Sequence, residues 1–213
     1  MQSEITHHFV FLRHGESTGN AEKRHQGQAD YPLTDLGKEQ AELLAEYWQM
    51  KNVSFDKAIS SPLSRAKQTA LILNQHLKTD LEYDPIWMER DNGKLAGLTW
   101  DEARDTIPTL PFTHLFKPIA DTGESLWELY LRAGTALNKL MILSPGNYLI
   151  ISHGGLLNMV IKALIGLTPQ ANFQGPVFRF SNTGYTSVHY HPENNNWTIK
   201  EHNNTSHLYK QDS

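Results

Sequence analysis

The sequence predicts an α/β fold, a three-layer α/β/α sandwich with a mostly parallel central sheet, built by a single domain over 1–213. Three observations predict it. Short apolar runs alternate with helix-length amphipathic stretches, a pattern that calls for parallel strands covered by helices on both faces. The longest apolar runs, such as 9–12 and 148–151, are strand-sized and far below the ~20 residues that cross a bilayer. A hydrophobic fraction of 39%, joined by 14 glycines in 213 residues, is ordinary for a globular chain with one sizeable core. No internal repeat, low-complexity tract or linker divides it.

The first strand is expected over 9–12 (Phe-Val-Phe-Leu), followed by a polar, glycine-containing loop as far as Pro32. Thr34 or Asp35 can cap the next helix, with Leu36, Leu43, Leu44, Tyr47 and Trp48 on one face. A second strand is expected over 57–60. Ser61-Pro62 then reads as the N-cap and first turn of a helix carrying Leu63, Ala66, Ala70 and Leu73. A weaker third strand covers 81–83, with 86–88 as a possible extension, and Thr99-Trp-Asp-Glu102 matches a capping box. The stretch 107–123 holds three prolines and is expected to be an irregular lid or specificity loop. A long helix over 124–141, a buried strand over 148–151 and a helix over 156–165 follow. The tail changes character, with strands expected over 177–180, 186–191 and 197–201 and a fraying end.

Composition excludes several function classes. Nineteen basic residues against 23 acidic ones, with no basic block, give no support to a nucleic-acid or membrane-surface role. The absence of cysteine excludes disulfides, thiolate catalysis and Cys-ligated metals. His189-x-His191 has the strand spacing of two metal ligands without an evident third, so an exposed pair is expected and no metal site. The N-terminal residues lack a basic region followed by an apolar one, so a cytoplasmic location is expected.

Four polar clusters follow the first four strand candidates: Arg13-His14-Gly15, Ser60-Ser61-Pro62 leading to Arg65, Glu89-Arg90, and Ser152-His153-Gly154-Gly155. In a parallel sheet they lie at one edge, beyond the carboxyl ends of the strands, where ligands bind. Their side chains suit a phosphate ester. Arginine binds phosphate oxygens bidentately and keeps its charge. Neutral histidine can attack phosphorus, and glutamate can protonate a leaving oxygen. Glycines after each histidine let backbone N–H groups approach an anion.

The run Phe11-Leu-Arg-His-Gly-Glu-Ser-Thr-Gly-Asn20 resembles the signature of the histidine phosphatase superfamily, the phosphoglycerate-mutase-like fold. The resemblance continues through Pro32-Leu-Thr-Asp-Leu-Gly37, Ser60-Ser-Pro-Leu-Ser-Arg-Ala-Lys-Gln-Thr69, Glu89 with Gly93 and Gly97, Gly123-Glu-Ser125, Ser152-His-Gly-Gly155 and Asn182-Thr183, nearly the whole chain in order. It implies that His14 becomes a phosphohistidine, that Arg13, Arg65 and His153 clamp the phosphoryl oxygens, and that Asn20 and the Gly154 backbone add donors. It further implies that Glu89 protonates the leaving group, that Gln26 and Gly27 line the pocket rim, and that no metal or organic cofactor takes part.

The expected function is therefore a phosphomonoesterase acting on a small-molecule phosphate ester, with no nucleic-acid or membrane partner, as a monomer or homodimer. Cofactor-dependent phosphoglycerate mutases are the alternative. They resemble the chain at Glu89-Arg90 but continue with His-Tyr where this sequence has Asp91-Asn92. They also carry further basic residues, whereas between Arg104 and Arg132 only Lys117 and His114 occur here. Gly15-Glu-Ser-Thr-Gly19 also matches the G-x-S-x-G nucleophile elbow, which makes a serine hydrolase using Ser17 a remote alternative. That elbow, however, follows a central strand and leads directly into a helix, whereas here a loop follows.

Overall fold

In a computed structural model describing residues 6–106 and 114–209, the apolar runs become six strands among the described residues. They are β1 (His7–Arg13), β2 (Lys57–Ser60), β3 (Asp80–Tyr83), β4 (Asn147–Ser152), β5 (Tyr185–His191) and β6 (Asn196–Asn204), in one sheet ordered β3-β2-β4-β1-β5-β6. The pairs β3/β2, β2/β4 and β4/β1 are parallel, and β1/β5 and β5/β6 antiparallel. The sheet is thus mostly parallel, with an antiparallel flank at the C-terminal end of the chain.

The two-residue alternation of the central strands explains the layers. Phe9, Phe11, Tyr148 and Ile150 face one side, where α5 (Leu126–Met141) and α6 (Gly154–Leu164) cover them. Leu12, Leu149 and Ile151 face the other, under α2 (Asp35–Met50) and α3 (Ser64–Leu77). Each of these large side chains contributes roughly 1.5–3 kcal/mol by leaving water. Two short helices, α1 (Thr18–Ala21) and α4 (Trp100–Thr106), lie in the loops at the carboxyl edge.

Several elements differ from expectation. On α2 the buried set is Gly37, Ala41, Leu44, Ala45 and Trp48, while Leu36 is 50% exposed and Leu43 36%. The helix presents the i, i+3, i+4, i+7 row beginning at Ala41. Ser61 is not the cap of α3, because Leu63 occupies the N-cap position without a side-chain bond. Asp30 reaches across from another loop to accept from Ser64 N (2.7 Å) and Ser64 Oγ (2.6 Å). The stretch 86–88 forms no strand. Pro85–Trp87 is a 3₁₀ turn capped by Asp84, with proline at the helix-start position it favours.

The stretch 177–180 forms no strand either. Its backbone is satisfied from the side: Asn158 Oδ1 accepts from Phe178 N (2.8 Å) and Arg13 Nη1 donates to Phe180 O (2.7 Å). The long helix starts two residues later than expected, at Leu126, because Ser125 and Glu128 close a reciprocal capping box. The chain end is pinned as far as a 3₁₀ turn at Ser206–Leu208, where buried His207 meets Thr183 Oγ1 at 2.9 Å. The first seven residues of the expected lid, 107–113, lie outside the described residues. In the remainder Phe116 packs edge-on against Trp127. Among the described residues no helix is long and apolar enough to cross a membrane.

Candidate active site

The parallel strands β1, β2 and β4 end side by side, and the loops that leave them meet. Arg13 pairs with Ser152, and His14 N donates to Ser152 O (3.1 Å), which sets His14 beside His153 with ring centroids 5.1 Å apart. The loop after β3 brings Glu89 to the same edge. Its carboxylate accepts from Gly155 N (2.9 Å) and Leu156 N (3.0 Å) in the first turn of α6, and from Arg90 N (2.8 Å).

One cavity of about 320 Å³ opens there. It is lined by eight of the nine residues expected from the sequence: Arg13, His14, Asn20, Gln26, Gly27, Arg65, Glu89 and Gly154. His153 stands behind the wall, 0% exposed. Its Nδ1 accepts from Arg65 Nε (3.2 Å), an atom that can only donate, so the ring proton sits on Nε2, 2.7 Å from Ser61 Oγ. Ser61, expected as a helix cap, thus belongs to the site's support. Ser17 is also 0% exposed and caps α1, with Gln26 Oε1 at 2.7 Å and Asn20 Oδ1 at 3.0 Å. Neither partner is a general base, and the geometry gives the serine-hydrolase alternative no nucleophile.

His14 is 2% exposed, and its Nδ1 lies 2.6 Å from Gly15 O. A carbonyl only accepts, so Nδ1 carries the proton and Nε2 presents a lone pair. Burial, and then the charges of Arg65 and Arg13, hold the imidazole well below its ordinary pKa, against a smaller opposing effect of the Gly15 carbonyl. His153 is held neutral in the same way, by burial first and then by Arg65. A neutral, oriented imidazole beside two guanidinium groups is what nucleophilic attack on an anionic ester requires.

Arg65 gives Nε to His153, Nη1 to Ala29 O (3.0 Å) and Nη2 to Gly27 O (2.7 Å), which leaves one N–H on each Nη. Burial lowers its pKa to about 10, with Glu89 and Asp30 pulling the other way, so it stays charged at neutral pH. Arg13 spends Nη1 on Phe180 O, and its buried Nε has no partner. An unpaired buried donor costs about 1–3 kcal/mol. Gly154 carries no Cβ beside this guanidinium; a Cβ there would lie 3.6 Å from Arg13 Nε.

Arg132 on α5 is a supporting residue that no sequence motif marks. Its Nε and Nη2 hold both oxygens of Glu124 (2.8 and 2.7 Å), Nη1 donates to Ile86 O (2.9 Å) and Met88 O (2.6 Å), and Nη2 also donates to Glu89 O (3.1 Å). All five N–H groups are used, three of them on the loop that delivers Glu89. Glu124 precedes the Ser125 cap and so lies outside α5, and no helical spacing links it to Arg132 in the sequence. Arg24, His25 and Asn92 also line the outer cavity with no such signal in the sequence, together with Arg90 from the expected Glu89-Arg90 cluster. His189 stacks on His8 with centroids 4.1 Å apart, and among the described residues no cluster of three or more metal-ligating side chains forms.

The family model for the histidine phosphatase superfamily (branch 1) matches residues 9–205. The "Probable phosphoglycerate mutase GpmB" of Proteus mirabilis (strain HI4320) is 34% identical over 209 residues, covering 92% of this chain and 93% of that one. The "Uncharacterized phosphatase PhoE" of Bacillus subtilis (strain 168) is 30% identical over 198 residues, covering 92% and 94%. Among solved structures, Bacillus stearothermophilus YhfR superposes with a TM-score of 0.82 at 26% identity, over 95% of this chain and 99% of that one.

Proposed function

The chain belongs to branch 1 of the histidine phosphatase superfamily, and from that membership we propose that it is a phosphomonoesterase working through a phosphohistidine on His14. The observation that carries the reading is the state of His14: buried, neutral, its Nδ1 tied to Gly15 O and its Nε2 free between Arg13 and Arg65. Nε2 forms a bond to phosphorus as the ester oxygen departs, and Glu89 supplies the proton that oxygen needs. The guanidinium groups of Arg13 and Arg65 meet the charge on the phosphoryl oxygens, joined by Asn20 and the Gly154 N–H. His153 acts through Arg65, whose Nε it accepts. Water then takes the phosphoryl group from His14, with Glu89 receiving its proton.

The mutase relative at 34% identity favours a second reading, in which the phosphoryl group returns to an organic acid. One experiment separates the two. Enzyme quenched during turnover should carry acid-labile, base-stable phosphate that is lost in His14→Ala. With 3-phosphoglycerate plus 2,3-bisphosphoglycerate, inorganic phosphate should appear faster than 2-phosphoglycerate. Isomerisation that outruns phosphate release establishes the mutase. A His14→Ala variant with full turnover removes the phosphohistidine.

A further inference from the structure

The turn that leads into β5 lies beside the end of β1, where His14 sits. Thr183 in that turn is 0% exposed and has a φ of +52°. A β-branched residue resists this left-handed conformation, whereas asparagine or glycine adopts it readily. The conformation aims the Thr183 N–H at the end of β1, where it donates to both Arg13 O (3.1 Å) and His14 O (3.3 Å). Asn182 Nδ2 donates to the same His14 carbonyl (3.1 Å), and Gly184 O accepts from Arg13 N (3.1 Å). Three consecutive residues of one turn thus hold the backbone that carries the nucleophile.

The strained residue is held in turn by the C-terminal 3₁₀ turn. Thr183 Oγ1 gives its one proton to Asn182 O (2.8 Å), so it accepts from His207 Nε2 (2.9 Å). The ring proton of His207 therefore sits on Nε2. The ring is buried, with the Tyr47 ring of α2 at 6.4 Å and the Tyr185 ring of β5 at 6.5 Å between centroids. Its Nδ1 is buried without a hydrogen-bond partner, so among the described residues the bond to Thr183 is the polar contact that the ring makes. His207 does not line the catalytic cavity.

We propose that His207 is a positioning residue for the nucleophile. Its Nε2–H holds Thr183 left-handed through Oγ1, and the Thr183 N–H then fixes the Arg13 and His14 carbonyls and with them the direction of His14 Nε2. The inference deepens the phosphohistidine reading and rests on it. Attack on phosphorus tolerates little misplacement, since a shift of about 1 Å can cost on the order of 10²-fold. The phosphoryl clamp is held separately, because Arg13 Nη1 is fixed by Phe180 O and Arg65 by Gly27 O and Ala29 O.

The test is the single-turnover rate constant for nitrophenolate release from p-nitrophenyl phosphate, with enzyme in saturating excess, beside the inhibition constant of inorganic phosphate. Such a rate constant is set by the folded molecules alone, so loss of material does not imitate the effect. His207→Phe keeps the ring's bulk without the donor and should slow the step about 10–100-fold, with phosphate inhibition changed little. His207→Gln keeps an N–H donor and should retain most of the rate. In Thr183→Asn the turn holds itself, so adding His207→Ala there should cost far less than adding it to the threonine protein. Equal slowing by His207→Phe and His207→Gln overturns the positioning role and leaves the phosphohistidine standing. So does an equal cost of His207→Ala with threonine or asparagine at 183, or phosphate inhibition that weakens by the same factor as the rate. Absence of acid-labile phosphate on His14 in the unaltered enzyme, quenched during turnover, overturns the phosphohistidine reading and this proposal with it.

Discussion

Replacing Arg132 by lysine keeps the charge and removes the fork. The guanidinium serves five acceptors with five N–H groups, and an ammonium has three. At least two acceptors therefore lose their donor. At about 1.5 kcal/mol each, the low end for a bond to a charged group, the loss is about 3 kcal/mol. In a domain of this size that corresponds to a fall in Tm of about 6–12 °C. The catalytic effect should be selective. Arg132 Nη2 holds Glu89 O, whereas the Glu89 carboxylate is still gripped by the α6 N–H groups. Glu89 is loosened without being removed, so with Glu89 in its proposed role part of the ~10²–10⁴-fold worth of a general acid is forfeited. Glycerol phosphate, whose alkoxide needs a proton, should lose about 10–100-fold in kcat. p-Nitrophenyl phosphate, whose phenolate leaves unaided, should lose a few-fold at most. The assays are thermal denaturation and steady-state kinetics on both substrates below the new Tm. Equal losses on the two esters would refute a role for Arg132 in placing Glu89, and an unchanged Tm would refute the bond accounting itself.

Gly155→Ala should separate activity from stability, because the new Cβ would meet Glu89 Oε1 at 2.5 Å, the far end of a flexible side chain that can swing away. Hydrolysis of glycerol phosphate is expected to fall about 10–100-fold, with a smaller fall in urea midpoint than a backbone clash causes. Gly15→Ala, whose Cβ would meet Gly37 O at 2.4 Å, should lose stability, since a backbone must move. Acid should destabilise the fold below about pH 6.5, the ordinary histidine value. Burial lowers His207 to about 4, so as pH falls the unfolded chain takes up its proton first and stability falls with it. At 1.36 kcal/mol per pH unit, His207 contributes about 2–3 kcal/mol of loss between pH 7 and pH 4.5. Urea midpoints with the same pH slope in the protein and in His207→Gln would rule that contribution out.

What sequence conveys here is the part carried by short-range periodicity and local chemistry. The two-sided burial of Phe9–Leu12 is visible as an unbroken apolar run, and the capping box at Thr99 and Glu102 forms with Glu102 N 3.2 Å from Thr99 Oγ1. His14, Arg65 and Glu89 converge because parallel strands send their following loops to one edge. What escaped is decided by bonds made through space. Asp30 caps a helix 34 positions away, and Arg13 Nη1 takes the carbonyl of Phe180, in a segment whose apolar residues read as a strand. The retreat of His153 behind Arg65 and the five-bond saturation of Arg132 belong to the same class, because neither partner lies within a helical turn of the other. The inward row of α2 was displaced by one register, since Leu36 and Leu43 are as apolar as the buried row and only packing against α3 selects between them.

The position of β1 in the middle of the sheet has a bearing on how the protein acquires activity during synthesis. Both neighbours of this strand lie far downstream, β4 beginning at Asn147 and β5 at Tyr185. At ribosomal rates of roughly 5–20 residues per second, the apolar strand waits on the order of ten seconds before either partner exists. Throughout that interval Phe9, Phe11 and Leu12 have no native strand to pair with, which exposes the nascent chain to off-pathway association. The long loops that must close before β1 is sandwiched also predict slow folding, through high contact order. The loop that carries His14 receives its last supports from Asn182, Thr183 and the His207 turn, so the His14 loop is set only after nearly the whole chain has been translated.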